Sequence, residues 1–456
     1  MPEEHTSRDP YDDIHDYLQR LEPNSAELTR YVEDIPMHQL LEGWDGLSDD
    51  LRIKVFLHLS NEAKLDLMNS LPANHQETLL EVLSAEKIKL LLEEMEPDDL
   101  TDFIQTVNPD VRKSVWQNLS DETKKETLFL LRYDEDDAAG LMTPKYLAIR
   151  DNLTIGQALN FIRKSSGEVE TVYYIYVIDH LKRLQGVISL RDVLSTEDSD
   201  GVNSIMQKKI ISVTEKTDQE EVAKTLETYD LLAIPVVDSY NRLLGIVTVD
   251  DVLDVIRKEQ TEDVYKMGAM EGSTDRYLET NIFKLVKKRI PWLTILLLVG
   301  TVTTNVIHHY EGIILGAAFL FIFMPIITQT GGNAGSQSST LMIRGLATGE
   351  LHFRNVGKIM LKEIFVGIIL GIGTGVVILL RSFFLPPGVG FPQAITVGVS
   401  LSFVVLFATF IGAVAPLLIH KMGYDPTVMS APLMATLIDV AGLTIYFETA
   451  KLLLGL

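Results

Sequence analysis

Two regimes of hydrophobic patterning divide the chain. Beyond about residue 290 the apolar runs become long. Five of them, at about 291–307, 312–328, 356–380, 394–419 and 426–453, approach or exceed the roughly 20 mostly apolar residues that a membrane helix needs. Upstream the apolar residues are spaced for half-buried elements. Between residues 36 and 132, Ser48, Ser60, Pro72, Ser84, Pro97, Pro109 and Ser120 recur at intervals of 11 to 13. Most follow an apolar residue and precede acidic or amide residues, as in LSDD, LSNE, LSAE, EPDD and LSDE. Ser at an N-cap and Pro in the first turn both start helices. With Leu, Val and Ile at helical spacing between these points, the segment is predicted to be a stack of short helices, a small solenoid.

A second repeat follows. MTPKYLAIRDNLTIGQAL from Met142 aligns with MQKKIISVTEKTDQEEVA from Met206, and YVIDHLKRLQGVISLRDVL aligns with PVVDSYNRLLGIVTVDDVL. Each copy predicts a short strand, a helix, two β-rich strands across a turn and a second helix. The pair resembles a tandem of CBS domains. In such pairs a Ser or Thr three residues before an Asp holds a nucleotide ribose, and Ser189/Asp192 and Thr248/Asp251 match that pattern. The resemblance implies ATP or another adenine nucleotide near Tyr174, Ser189, Arg191 and Asp192. Carboxylates around Asp251 disfavour phosphate there. A CBS pair acting only as a dimerising scaffold stays open as the alternative.

Charge sharpens the division. From residue 291 to the end the chain carries 6 Asp/Glu and 7 Lys/Arg, a net of +1, so the first 290 residues hold −24 of a total of −23. Such an acidic surface repels nucleic acid and attracts metal cations, or serves only to keep the protein soluble. With no cysteine, disulfides, thiolate zinc sites and cysteine nucleophiles are excluded. The acidic first twenty residues contain no apolar run and predict no signal peptide, hence a cytosolic N-terminus. Lys287, Lys288 and Arg289 precede the first run, Arg344, Arg354, Lys358 and Lys362 follow the second, and Lys421 follows the fourth. By the positive-inside rule, five spans then place the C-terminus outside.

Ionisable residues inside a span are costly and mark function. Asp439 lies near the centre of the last run, with no Lys or Arg in the core of any span to pair with it. It is read as a pore carboxylate, with a protonated, helix-locking Asp as the alternative. Asp425 lies 14 residues earlier, which on one ideal helix is about 21 Å of rise and about 40° of rotation, nearly the same face. Pro432 is expected to kink that helix. The segment TQTGGNAGSQSST, residues 328–340, is expected to break its helix at Gly331, Gly332 and Gly335 and to expose Asn333, or else to pack helices tightly through small residues. Residues 257–290 read as a helical connector from the CBS pair to the membrane. The adjacent His308–His309 pair is read as interfacial, and no P-loop motif occurs.

Taken together, the acidic helical region, CBS pair, connector, five runs, GGNAGSQS segment and DP…P…T…D…G pattern resemble the MgtE family of magnesium channels along nearly the whole chain. The implied architecture is an acidic N-terminal segment (1–35), an α-helical superhelical domain (36–138), an α/β tandem CBS pair (139–202 and 203–259), a connecting or plug helix (260–289) and a five-span α-helical membrane domain (290–456). The resemblance further implies a homodimer in a plasma or inner membrane, its pore on the two-fold axis. Asp439 is placed in the selectivity site, with Gly331, Gly332, Asn333, Pro432, Ala435 and Thr436 lining the pore. Cytosolic Mg2+ sites are implied at Asp98, Asp102, Asp230, Asp251, Asp254, Glu259, Glu262 and Asp263; Asp425, from its spacing to Asp439, is read as a further metal-binding carboxylate at the cytosolic mouth. Ala431 stands where some relatives carry a polar side chain. The function implied is Mg2+ import down its gradient, closed by cytosolic Mg2+. The alternatives are transport of another divalent ion such as Co2+ or Mn2+, a membrane-anchored nucleotide sensor without a pore, and a membrane enzyme. The last lacks a recognisable nucleophile, base or metal triad.

Overall fold

Residue 18 and residues 26–272 and 280–455 are described by the structure, a computed structural model. Most of the acidic N-terminal segment and residues 273–279 of the expected connector lie outside the described residues. The chain divides into two parts, Met1–Ile256 and Arg257–Leu456.

Among the described residues the first part begins with nine short helices: α1 (Ala26–Asp34), α2 (Met37–Gly43), α3 (Asp49–His58), α4 (Asn61–Ser70), α5 (Ala73–Glu81), α6 (Ala85–Glu94), α7 (Pro97–Thr106), α8 (Pro109–Asn118) and α9 (Asp121–Leu130). The repeated Ser and Pro positions set their starts. The hydroxyls of Ser60, Ser84 and Ser120 accept hydrogen bonds from the backbone N–H of Ala63, Lys87 and Thr123, and Pro97 and Pro109 open α7 and α8. These caps satisfy N–H groups that a helix this short would otherwise leave unmade at its first turn. Inward residues form one continuous core that includes Trp44, Phe56, Leu67, Met68, Leu92 and Leu100. The indole N–H of Trp44 donates to His75 Nδ1 at 3.0 Å inside it, so neither polar group is buried unpaired. Leu130 at the end of α9 joins a different core, with Met142, Val222, Ile234 and Val247.

The two sequence repeats become two three-stranded sheets of one topology. In the first, β1 (Ala148–Arg150) runs parallel to β2 (Tyr174–Ile178), which pairs antiparallel with β3 (Leu184–Ser189). In the second, β4 (Val213–Thr214), β5 (Ala233–Val237) and β6 (Leu243–Thr248) repeat the arrangement. Even the irregularity repeats, between Val177 and Ile178 and between Val236 and Val237. The sheets share a core of Tyr176, Leu184, Ala233, Val237, Leu243 and Ile246. Their turns interlock, Leu184 N–H to Asn241 O at 2.9 Å and Leu243 N–H to Lys182 O at 3.0 Å. Helices α10 (Ile155–Ser165), α11 (Leu190–Ser195), α12 (Val202–Ile205) and α13 (Gln219–Tyr229) complete this α/β pair.

Helix α14 (Val249–Met267) leaves the second sheet and runs into the second part of the chain. It ends before Ala269, which has φ +52°. Then come α15 (Ile282–His309), α16 (Glu311–Gly316), α17 (Phe319–Ala347), α18 (Val356–Phe384), α19 (Phe391–Lys421) and α20 (Ala431–Leu454). The expected connector is therefore the end of α14 and the start of α15 rather than one helix. Helices α15, α18 and α19 are long and apolar enough to cross a membrane, with mean hydropathy 1.8, 2.4 and 2.4. The expected span 312–328 is divided between α16 and the start of α17, which also carries the Gly-rich polar segment, and the last expected span falls on α20, which carries Asp439 and Glu448. A stripe of small residues joins α18 to α19: Gly371 approaches the backbone of Ser402, whose hydroxyl donates to Gly371 O at 2.8 Å.

Candidate functional site

In the first part of the chain, two helix N-termini bring carboxylates together. Asp98 and Asp99 stand in the first turn of α7, and Asp250 and Asp251 in the first turn of α14. Helix starts favour negative charge, which explains why each turn carries two acids but not why they are assembled. The Thr248 hydroxyl and N–H both reach Asp251 Oδ2, capping α14. Burial first, then the charges of Asp251 and Asp99, push Asp98 well above the usual carboxylate range. Burial followed by Asp251, Asp102 and Glu96 raises Asp99 to about 7. Burial followed by Glu96, Asp251 and Asp250 raises Glu170 to about 8. Burial also raises Asp251 to about 6, against the Thr248 hydrogen bonds that favour its charged form. Lys145 brings a positive charge to this group, 3.2 Å from Glu96 Oε2. Asp98 Oδ1 and Glu170 Oε2 are buried and without a hydrogen-bond partner.

These are hard oxygen donors with unmet electrostatic demand, which suits a divalent cation. Among the described residues, no three carboxylates or imidazoles already converge as a direct cage. A small ion that keeps several waters does not need one. Of the expected ligands, Asp98, Asp102, Asp251 and Asp254 belong to this group. Asp230 instead ends α13 as an exposed C-cap at φ +50°. Glu96, Asp99, Glu170 and Asp250 were not anticipated. Asp99 and Asp250 adjoin anticipated acids, but Glu170 sits in SGEVETV with no pattern to mark it.

The raised carboxylates make a pH prediction. Each binds a proton more tightly in the folded state, so its stabilising contribution is full below about pH 4 and is lost as pH rises through about 6 to 8. Without divalent ions, residues 1–256 should melt on the order of 5 °C lower at pH 8 than at pH 5.5, and Mg2+ should abolish most of the difference. Calorimetry of that fragment with and without EDTA checks it.

At the first CBS repeat, Ser189 Oγ donates to Asp192 Oδ2 at 2.6 Å and accepts from Asp192 N–H at 3.1 Å, forming a reciprocal helix cap. Tyr174 begins β2 and Arg191 stands exposed in the first turn of α11.

In the second part, Asp425 caps the short 3-10 turn Pro426–Val428 and therefore precedes α20 instead of sharing it with Asp439. Pro432 lies in the first turn of α20, where a proline needs no N–H, so it starts the helix and does not kink it. The Gly-rich segment is likewise not a break, because α17 runs through it unbroken. Its glycines are contact points. A Cβ on Gly331 would lie 2.8 Å from Val404, and one on Gly332 would lie 3.3 Å from the Ala435 Cβ. Gly335 meets Ile438, and a Cβ on Gly412 would run into the Gly335 carbonyl. The small-residue reading of this segment is the one observed. Its hydroxyls hold the entry to α20, Ser336 donating to Ala431 O at 3.3 Å and Ser339 to Met429 O at 3.0 Å. Ser338 donates to Glu363 Oε2 at 3.1 Å, a buried acid of α18 that directly follows Lys362, the last residue read as part of a basic loop. Asn333 is exposed, while Ala435, Thr436 and Asp439 are half-buried on α20.

The close approach carries a second prediction. Gly412→Val should destabilise the helical part by about 1–3 kcal/mol, because backbone and not a flexible side chain lies opposite. Gly373→Ala, with nothing nearby, should be silent. Thermal unfolding of the full chain in detergent distinguishes them.

Comparison with known proteins agrees with this layout. Residues 324–449 match the MgtE divalent cation transporter family, residues 35–136 the MgtE intracellular N domain, and residues 138–198 and 202–258 the CBS domain. The chain is 40% identical over 444 residues to the magnesium transporter MgtE of Thermus thermophilus, covering 95% of this chain and 96% of that one. It is 36% identical over 326 residues to the Enterococcus faecalis magnesium transporter MgtE, covering 71% of this chain and 70% of that one. The crystal structure of the cytosolic domain of the Mg2+ channel MgtE in complex with ATP matches 54% of this chain and 99% of that one, at 39% identity and TM-score 0.51. These relatives are transporters and not enzymes, which removes the enzymatic alternative. The likeness extends from the acidic helices through the CBS pair to the glycine-packed apolar helices, and the chain belongs to the MgtE family of divalent cation transporters.

Proposed function

We propose that this protein is a Mg2+ channel that imports the ion down its electrochemical gradient and closes when cytosolic Mg2+ binds its acidic regions. The observation that carries the gating half is the group of buried and half-buried carboxylates around Asp98, Asp99, Glu170 and Asp251, with Lys145 as the neighbouring positive charge. Such a group is held together more favourably when a divalent ion is present than when it is absent. Mg2+ therefore biases any equilibrium between a gathered and a separated arrangement. Conduction is assigned to Asp439, an acid flanked on α20 by apolar and neutral residues. One carboxylate per subunit at a two-fold axis suits a hydrated divalent ion. A negative-inside potential supplies about 2.3 kcal/mol per charge per 100 mV, about twice that for Mg2+, so inward flow needs no ATPase.

In this reading the chain spans the membrane five times, with α15, α17, α18, α19 and α20, its N-terminus cytosolic and its C-terminus outside. It works as a C2 homodimer in a plasma or inner membrane. Helix α15 buries no residue within one chain and exposes Leu293, Leu297 and Leu298, apolar surface left for lipid or a second copy. A relative's cytosolic domain was solved with ATP, and the Ser189/Asp192 cap with Tyr174 and Arg191 is the position proposed for an adenine nucleotide here. Uptake into liposomes containing the purified protein, compared across Mg2+, Mn2+, Co2+ and Ca2+, tests the reading. Mg2+ uptake that outpaces the others supports it, and uptake of another ion with Mg2+ excluded overturns it.

A further inference from the structure

Lys266 stands where the resemblance places divalent ions. Its ammonium is 2.8 Å from Asp425 Oδ2 and 2.7 Å from Glu262 Oε1, joining residues 159 apart in sequence between the end of α14 and the turn before α20. The other Asp425 oxygen, Oδ1, accepts the Thr427 N–H at 2.8 Å. Asp425 is thus satisfied on both oxygens by the protein itself. Burial alone would raise its carboxyl, yet the hydrogen bonds from Lys266 and Thr427 hold it below the usual range. Burial would lower the Lys266 ammonium, and the two carboxylates hold it above the usual lysine range instead. Asp263 adds another negative charge beside Asp425, and Glu259 lies one turn back on the same helix.

We propose that Lys266 is the resident cation of this carboxylate site, an ion-pair latch that holds the end of α14 to the entry of α20 without a bound metal. One ammonium is shared between the carboxylates of Glu262 and Asp425, with Asp263 beside them. The latch therefore gives a baseline contact, and a divalent ion acts on the charge that remains. In its bearing on gating this rests on the channel reading above, but the contact itself does not. A lysine of four flexible carbons also makes the latch reversible, since its pairing is half-exposed and of modest strength.

The chain has no cysteine, so spin labels go only where they are placed. Val264→Cys and Tyr424→Cys, both at exposed positions, report the α14-to-turn distance in the full-length protein. Labelled chain is diluted into unlabelled chain so that only intrachain distances are read. In EDTA the latched protein shows a narrow short-distance population. Lys266→Met should lower the ratio of that population to the longer ones by about two- to five-fold, the range for a half-exposed ion pair. Millimolar Mg2+ should restore it, and Lys266→Arg should keep it in EDTA. The proposal is overturned if Lys266→Met leaves the EDTA distribution unchanged, if Lys266→Arg loosens it equally, or if Mg2+ fails to restore it. Loss of Mg2+ flux in liposomes with these distances intact would sink the channel reading and leave the latch standing.

Discussion

Asp439→Asn should reduce Mg2+ flux into liposomes by about 100-fold or more while leaving a folded, membrane-inserted protein. The amide keeps the size of the side chain and removes its charge. Within α20 the flanking residues are apolar or neutral, so no nearby acid can take over. Asp439 is half-buried and not enclosed in the core, hence its neutral replacement leaves no buried orphan charge and little destabilisation. Asp439→Ala should behave alike. Retention of wild-type flux by Asp439→Asn would remove this residue from the pore. Glu363 gives the contrast. It is buried and held by Ser338, so Glu363→Gln should alter stability more than ion selectivity.

Neutralising the carboxylate group should leave a channel that stays open at Mg2+ levels that close the wild type. Asp98→Asn, Asp99→Asn, Glu170→Gln and Asp251→Asn together remove the charges through which Mg2+ would hold this group together. The amides give the ion no charge to bridge, so raising Mg2+ no longer favours the gathered, closed arrangement over the open one. The Mg2+ dependence of closure is lost. Several weak sites acting together give a steep response, so losing four ligands should raise the closing concentration by about tenfold or abolish closure. Deletion of residues 1–132 should weaken closure and spare conduction, since Asp439 and its helix contacts remain. Efflux from liposomes preloaded with graded Mg2+ reads both effects. Closure of the four-fold variant at the wild-type concentration would make the acidic region a solubilising surface only.

Local signals were the most legible part of the fold. Ser60, Ser84, Ser120, Pro97 and Pro109 act as helix starts because capping depends on residues within one turn. The CBS repeat was readable because two copies carry the same alternation, down to paired turns at Asp179 and Asp238. Errors came where a residue has two physical uses. Glycine permits a break and also permits close packing, and only the opposing residues Val404, Ala408 and Ile438 decide which occurs at Gly331 and Gly335. Pro432 and Asp425 were misplaced for a related reason, since a boundary shift of five residues turns a mid-helix proline into a first-turn one. The candidate site was half legible. Asp98 and Asp251 are marked by their motifs, but Glu170 and Lys266 act through partners 72 and 159 residues away, a separation no local pattern encodes.

The most direct test is the current through inside-out membrane patches containing the wild-type protein while Mg2+ on the cytosolic face is raised from micromolar to millimolar. A Mg2+-gated Mg2+ channel closes across that range, and the same titration on the carboxylate-neutralised variant leaves the current on. Current that does not change with cytosolic Mg2+ in the wild type, or that closes at the same concentration in both proteins, contradicts it.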